Sequence, residues 1–421
     1  MSWEYVKLNE LGSTYTGLSN KKADDFGSGK PYITYLNIFN NSKIDPSLFE
    51  KVEVGFGENQ NKAKYGDIFF TTSSETPDEV GMCSVLLDNV DELYLNSFCF
   101  GFRLFTLDTI IPEYARYCFR SEEFRKQIGN LAQGSTRYNL SKSYFLESSV
   151  LITTDPKEQK KIADILESVD NSIESTKKAI EKYKLVKQGM MQDLLTRGLD
   201  ENGKLRPTYE ESPEIYKLSK LGYIPKEWDV KSILDVATIS SGGTPNRSNA
   251  LYWDGDIPWV TTGEVNFNTI IDTKEKITED GMNYSAAKLF DKGTILMAMY
   301  GQGVTRAKCA ILGIKATTNQ ACAAIRTFDI NNMFLYHYLR FSYNALRNLS
   351  NDGSQQNLNS VLIGTFTIIK PTKESEQQQI ADRLTSIDNK IEAEQTYLKK
   401  LQKIKQGLMQ DLLTGKVRCK F

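Results

Sequence analysis

Two polar loops carry side chains suited to recognition chemistry. GSTRYNLS at 134–141 and GSQQNLNS at 353–360 offer amide, hydroxyl, guanidinium and phenol groups after a Gly-Ser start. On a DNA duplex such groups read base edges, while Lys and Arg take phosphates. The candidates of this kind in the first half are Lys21, Lys22, Lys30, Thr72, Ser73, Arg137, Tyr138 and Asn139. In the second half they are Asn246, Arg247, Tyr300, Gln302, Arg306, Gln355, Gln356 and Asn357. Ordinary solvated loops share this composition, so what decides between the two readings is where the fold puts these residues.

Covalent and metal chemistry find less support. Cys83, Cys99, Cys118, Cys309, Cys322 and Cys419 form no CxxC pair, and His337 is the only histidine, so a Cys/His metal site is not expected. His337 lies on an apolar helical pattern and reads as core. FGSGKP (26–31) lacks the first glycine of a phosphate loop and places Pro31 where Ser or Thr should follow Lys30. YGQGVTR (300–306) has part of a dinucleotide fingerprint without a fitting βαβ unit, so it reads as a loop. An adenine methyltransferase needs Asp/Asn-Pro-Pro-aromatic to hold a flipped base, and this chain has no Pro-Pro. The expectation is a binding protein without catalytic residues, metal or cofactor of its own.

At 421 residues there is room for about two to four domains. Lys and Arg number 52 against 53 acids, so bulk charge does not point to nucleic acid. Residues 1–150 carry 15 bases against 20 acids, whereas 215–371 carry 16 against 13. No stretch suits a membrane span or a signal peptide, and the cysteine usage suits a reduced, cytoplasmic setting.

Elements that could position the loops occur in one order twice. The runs 31–39, 67–73, 83–88 and 98–105 read as strands, Pro112 opens a helix to about Leu131, and 148–154 is a last strand. IPWVTTGEV (257–265) answers KPYITYLNI (30–38), GTILMAMYG (293–301) answers GDIFFTTSS (66–74), and a helix around 335–349 answers 114–131. His337 falls opposite Tyr117. Residues 198–214 are polar with scattered Gly and Pro and read as a linker.

The strongest repeat is helical. Residues 158–196 return at 376–414 without a gap, with 21 identities in 39 positions. In the first copy a heptad seam runs through Ile162, Leu166, Val169, Ile173, Thr176, Ile180, Tyr183, Lys187, Met190 and Leu194. In the second it runs through Ile380, Leu384, Ile387, Ile391, Glu394, Leu398, Leu401, Lys405, Leu408 and Leu412. Each copy starts acidic, with two bases against five acids, and then turns basic, to a net +4. Antiparallel pairing sets acid against base and suits both helix dipoles. The expected fold is therefore mixed α/β (α+β): two globular domains joined by two long helices in an antiparallel coiled coil, with a pseudo-twofold internal repeat.

KQGMMQDLLTRG (187–198), KQGLMQDLLTGKVR (405–418) and SSGGTPNRSNALYWDGDIPWVTTGEV (240–265) carry a specific resemblance. The chain resembles the specificity subunits of type I restriction–modification systems. The resemblance implies target-recognition domains at 1–154 and 215–371, conserved helices at 155–197 and 372–421, and the linker at 198–214. It also implies that each domain reads half of a split DNA sequence and that the coiled coil sets the spacer between the halves. Implied partners are double-stranded DNA, two adenine-N6 methyltransferase subunits and two restriction–translocase subunits. S-adenosylmethionine, ATP and magnesium would sit on those partners. The first domain lacks the GGTP and YW signature of the second. The competing expectation is a duplicated coiled-coil protein–protein adaptor without DNA recognition.

Overall fold

The computed structural model describes residues 3–301, 304–349 and 357–419. The chain divides into two compact units, one of residues 1–178 with 396–421 and the other of 179–395. The divisions cut two long helices, Pro156–Thr196 and Glu374–Leu412. Each unit therefore holds one globular domain and part of each helix.

In the first unit an antiparallel sheet runs in the order Gly12–Thr16, Cys99–Leu104, Ile68–Thr71, Cys83–Val85. A second sheet sets Phe26–Ile33 between Glu50–Val52 and Tyr94–Leu95. Trp3–Lys7 pairs antiparallel with Ser149–Thr153 at the entry to the first long helix. Phe70, Phe100, Phe102, Phe119, Phe124 and Phe145 form the buried centre, together with Ile162 and Leu166 of the first long helix and Leu412 of the second. Burial of each such ring contributes about 2 kcal/mol, and edge-to-face neighbours such as Phe119 and Phe124, 5.1 Å apart, add to that.

The second unit repeats these pairings. Its main sheet runs Ala237–Ser241, Cys322–Thr327, Ile295–Ala298, Cys309–Leu312, with Thr269–Ile270 added in parallel. Trp253–Val260 lies between Glu275–Ile277 and Thr317–Thr318. The irregularity between Phe26 and Lys30 in the first unit returns between Trp253 and Ile257 in the second. Phe26 and Tyr32 meet edge to face at 5.4 Å where Trp253 and Trp259 meet at 5.1 Å. The first domain thus fills the place of the missing tryptophans with a smaller aromatic pair. Leu194 and Leu195 of the first long helix, and Ile380 and Leu384 of the second, join this unit's core.

All twenty heptad positions of the two long helices are buried or half-buried. Within the first unit, Asp170 meets Lys405 at 2.6 Å, and Glu158 meets Arg418, six residues past the end of the second helix, at 2.7 Å. Within the second, Lys187 pairs with Asp388, and Lys390 lies 4.6 Å from the Tyr183 ring centre. In both units the partner number falls on one helix as it rises on the other.

Several expected elements differ. The strand expected at 31–39 ends at Ile33. Thr34 then caps a helix, Tyr35–Asn40, by accepting a hydrogen bond from the Asn37 N–H at 3.2 Å. The helix expected from Pro112 to Leu131 is two, Pro112–Cys118 and Glu122–Asn130, because Ser121 caps the second. Its counterpart likewise splits into Asn332–Phe341 and Tyr343–Asn348. Residues 198–214 are packed rather than a free linker. Leu199 is buried, its N–H donates to Glu376 at 2.9 Å, and Arg206 pairs with the same carboxylate. That buried carboxylate needs donors, and the segment supplies them.

Candidate nucleic-acid interface

The structure gathers five of the expected residues of the first domain. Ser73–Ser74 pairs antiparallel with Tyr138–Asn139, with Asn139 opposite Ser73. The Leu140 N–H donates to the Thr72 carbonyl at 2.9 Å. The expected polar loop is therefore a tight turn ending in a short strand. Gly134 makes the turn possible: its φ is +139°, and a Cβ there would lie 2.1 Å from the Arg137 carbonyl oxygen. Arg137 is exposed beside this ladder. Thr72, Ser73, Arg137, Tyr138 and Asn139 thus form one polar edge.

The lysines of the first domain are engaged elsewhere. Lys21 pairs with Glu58 at 2.6 Å, and this contact first, then Gln60, holds the Glu58 carboxyl down to about 2. Lys30 pairs with Glu92, which Lys62 also approaches at 3.1 Å. Lys22 is exposed, and its backbone N–H donates to Asp25.

In the second domain the Arg247 guanidinium lies 3.9 Å from the Trp253 ring centre and 4.8 Å from that of Trp259. It also binds both oxygens of Glu275, one of them at 3.0 Å. The Asn246 carbonyl accepts from Trp253 Nε1 at 3.2 Å, and the Gly243 carbonyl from Trp259 Nε1 at 2.9 Å. A Cβ at Gly242 would lie 1.9 Å from the Thr318 carbonyl oxygen and one at Gly243 2.3 Å from the Ala286 backbone, which explains the Gly-Gly of the motif. The signature thus pins a loop to two indoles and presents Arg247 in a fixed pose. Tyr300 is 42% exposed just past Ile295–Ala298, where Ser73 stands in the first domain. Asn357 is half-buried.

Arg306 is 9% exposed and donates to the Arg347 carbonyl at 2.9 Å, at the end of the neighbouring helix. Gln302, Gln355 and Gln356 lie outside the described residues.

Charge pairs also mark where each domain meets the long helices. Asp170 receives Arg116 at 3.3 Å and the Tyr117 hydroxyl at 3.0 Å; Asp388 receives Arg340 and lies 3.9 Å from His337 Nδ1. His337 Nε2 meets the Thr385 hydroxyl at 3.0 Å. Burial above all, then the neighbouring Arg340, lowers its pKa to about 3. It is a neutral core histidine. Among the described residues no cluster of His, Cys, Asp or Glu could hold a metal ion, and no helix is long and apolar enough to cross a membrane.

Sequence reasoning missed Phe98. FCFGFRLF (98–105) reads as one strand, in which Phe98 shares the inward side with Phe100 and Phe102. The strand begins at Cys99, and Phe98 is 61% exposed. The signal was the preceding Asn96, whose side chain accepts from the Phe98 N–H at 2.8 Å and turns the chain.

A family model described as type I restriction modification DNA specificity domain matches residues 1–184 and again 225–403. The chain belongs to that family. Among similar specificity subunits, the type I restriction enzyme MjaVIII specificity subunit of Methanocaldococcus jannaschii is 29% identical over 273 residues, 62% of this chain and 61% of that protein. The putative MjaX specificity subunit of the same organism is 27% identical over 438 aligned positions, covering 99% of this chain and 94% of that protein. The crystal structure of the type I restriction–modification S subunit from M. genitalium superposes with a TM-score of 0.63 at 16% identity, covering 98% of this chain and 96% of that one. A chain from a study of complex assembly and conformational transition of the type I R-M system superposes at 0.57 with 14% identity, covering 99% and 98%. At these identities the structural likeness speaks for the fold.

Proposed function

We infer that this chain is the DNA specificity subunit of a type I restriction–modification complex, with no catalytic residues of its own. The observation that carries the reading is the two family matches on either side of residues 185–224, one per recognition domain. Each domain reads one half of a bipartite site. The edge of Thr72, Ser73 and 137–139 serves the first half; Asn246, Arg247, Tyr300 and Asn357 serve the second. The two long helices form an antiparallel coiled coil with a pseudo-twofold axis, supported by the Asp170–Lys405 and Lys187–Asp388 pairs, and they set the unread spacer. Two adenine methyltransferase subunits bring S-adenosylmethionine, and two restriction–translocase subunits bring ATP and magnesium.

Phosphate neutralisation supplies most non-specific affinity for DNA. With 15 bases against 20 acids in residues 1–150, the first domain supplies little of it. Isolated chain therefore binds DNA weakly, and the methyltransferase partners complete the grip.

The test is methylation sequencing of cells expressing the chain with its methyltransferase partner. The expected result is one split motif, methylated at an adenine in each half and absent without the chain. Methylation independent of the chain would sink the reading in favour of a protein adaptor.

A further inference from the structure

A cavity of about 390 Å³ opens beside the Ser73–Ser74 ladder of the first domain. Tyr35 and Phe39 stack along it at 5.8 Å, and Phe98 and Leu36 line it while 61% and 64% exposed. The Tyr35 hydroxyl donates to the Ser73 carbonyl at 2.8 Å, which fastens the apolar wall to the polar edge. Two large apolar side chains left this open beside a recognition edge mark a contact surface.

The rim narrows what could fill it. Arg137 stands there with Glu75 and Glu79, and Glu79 accepts from the Ser74 hydroxyl at 2.9 Å. Two carboxylates against one guanidinium make a poor seat for a phosphate. An apolar wall beside hydrogen-bonding groups instead fits a base edge in the major groove. Thymine is the base that presents a methyl group there.

The fold itself does not need this wall. The second domain keeps the same framework: Thr34 and Thr261 both cap the following turn, and Asn96 and Asn319 both accept from the N–H two residues on. Yet the places of Tyr35, Leu36 and Phe98 are taken there by Thr262, Gly263 and Ala321. Among the described residues the second domain keeps no large apolar side chain at these three places, so the scaffold does not require one there.

We propose that the first domain reads a thymine of its half-site by seating the 5-methyl group against Phe98 and Leu36 in this cavity. The proposal rests on the specificity-subunit reading. Arg137 and the Ser73–Asn139 edge then hold the neighbouring bases in register.

The experiment uses the assembled chain–methyltransferase complex and a duplex carrying its mapped motif. Each thymine is replaced in turn by deoxyuridine, which removes the methyl group alone, and binding is measured at fixed salt. In the wild-type complex one thymine of one half-site shows about fourfold weaker binding, the worth of one buried methyl. With Phe98→Ala the two duplexes bind alike, and thymines of the other half-site behave as in wild type. Leu36→Ser, at a second exposed position, gives the same pattern and guards against misfolding of the first variant. Undiminished sensitivity to deoxyuridine in both variants, or none in wild type, overturns the proposal and leaves the specificity reading standing. Loss of methyltransferase assembly in a folded Phe98→Ala chain also overturns it, because the wall then faces a protein. Absence of any methylated motif in the wild type overturns both readings together.

Discussion

Lys405 Nζ lies 2.6 Å from Asp170, and the same pair displaced by 218 residues, Lys187 with Asp388, recurs in the other unit. Each carboxylate also takes an arginine from its own domain, Arg116 or Arg340. Those arginines are not equivalent. The helix starts, Ile111 and Asn331, both donate a backbone N–H to a glutamine of a long helix, Gln159 or Gln377, and that register sets Arg340 opposite Arg120. The guanidinium in the second unit thus arrives one helical turn later on the same face. The local charge was kept although its donor moved.

Removing the shared carboxylate should be costly. Asp388→Ala leaves Lys187 and Arg340, which are 12% and 14% exposed, without their partner. Breaking a pair of this kind costs about 2–4 kcal/mol. Urea unfolding followed with a probe in the second unit checks the loss. A double-mutant cycle with Lys187→Met should give a coupling of about 1 kcal/mol or more.

The single histidine makes a second prediction readable without assignment work. His337 is held at about 3 in the fold, by burial first and Arg340 next, against the pull of Asp388. The unfolded chain takes up that proton near pH 6.5. Stability from this group is therefore complete above that pH and declines as pH falls toward 3. Asp388 adds to the decline lower down, since Arg340 and Lys187 outweigh its burial and hold it below the usual carboxylate range. The imidazole resonance should not titrate above pH 5 in folded protein. His337→Gln should flatten unfolding stability between pH 6.5 and 4.5; an unchanged slope would contradict this account.

Each long helix begins at a buried glutamate that gathers distant donors. Glu158 is 1% exposed and receives Arg418 at 2.7 Å and Thr153 at 2.7 Å. Glu376 receives Arg206 at 3.2 Å and Trp228 Nε1 at 3.2 Å. Arg206→Met should destabilise its own unit by about 3 kcal/mol, because the buried Glu376 charge loses its partner. Arg418→Met removes a half-exposed guanidinium and should destabilise the other unit less. Hydrogen exchange should show the loss confined to one unit per variant.

Spacer length tests the proposed role of the helices. A heptad inserted at 176/177 and at 394/395 keeps the seam in phase and adds about 10 Å, or about three base pairs of duplex. Methylation sequencing should show the same half-sites with the wider gap. An active variant with the original gap would argue that the helices do not set it. Five-residue insertions should abolish assembly, because they rotate polar positions into the seam.

The sequence alone determined the duplicated helices, their buried faces and the paired order of elements. Heptad spacing and alternating apolar residues are local patterns, and burial follows from them directly. It also named Thr72, Ser73 and 137–139 as polar candidates, but the pairing that joins them into one edge came from the fold. Only the tertiary structure decided which charged residues were already taken. Arg306 turns inward to a carbonyl 41 residues away, Arg206 finds Glu376 at a separation of 170, and Arg247 is fixed by Glu275 at 28. Nor could alternation reveal that Phe98 faces outward, since a side-chain bond from Asn96 resets the strand at that point. The fates of the charged residues depend on which distant partner each one finds. That choice is made by three-dimensional packing, and no local pattern records it.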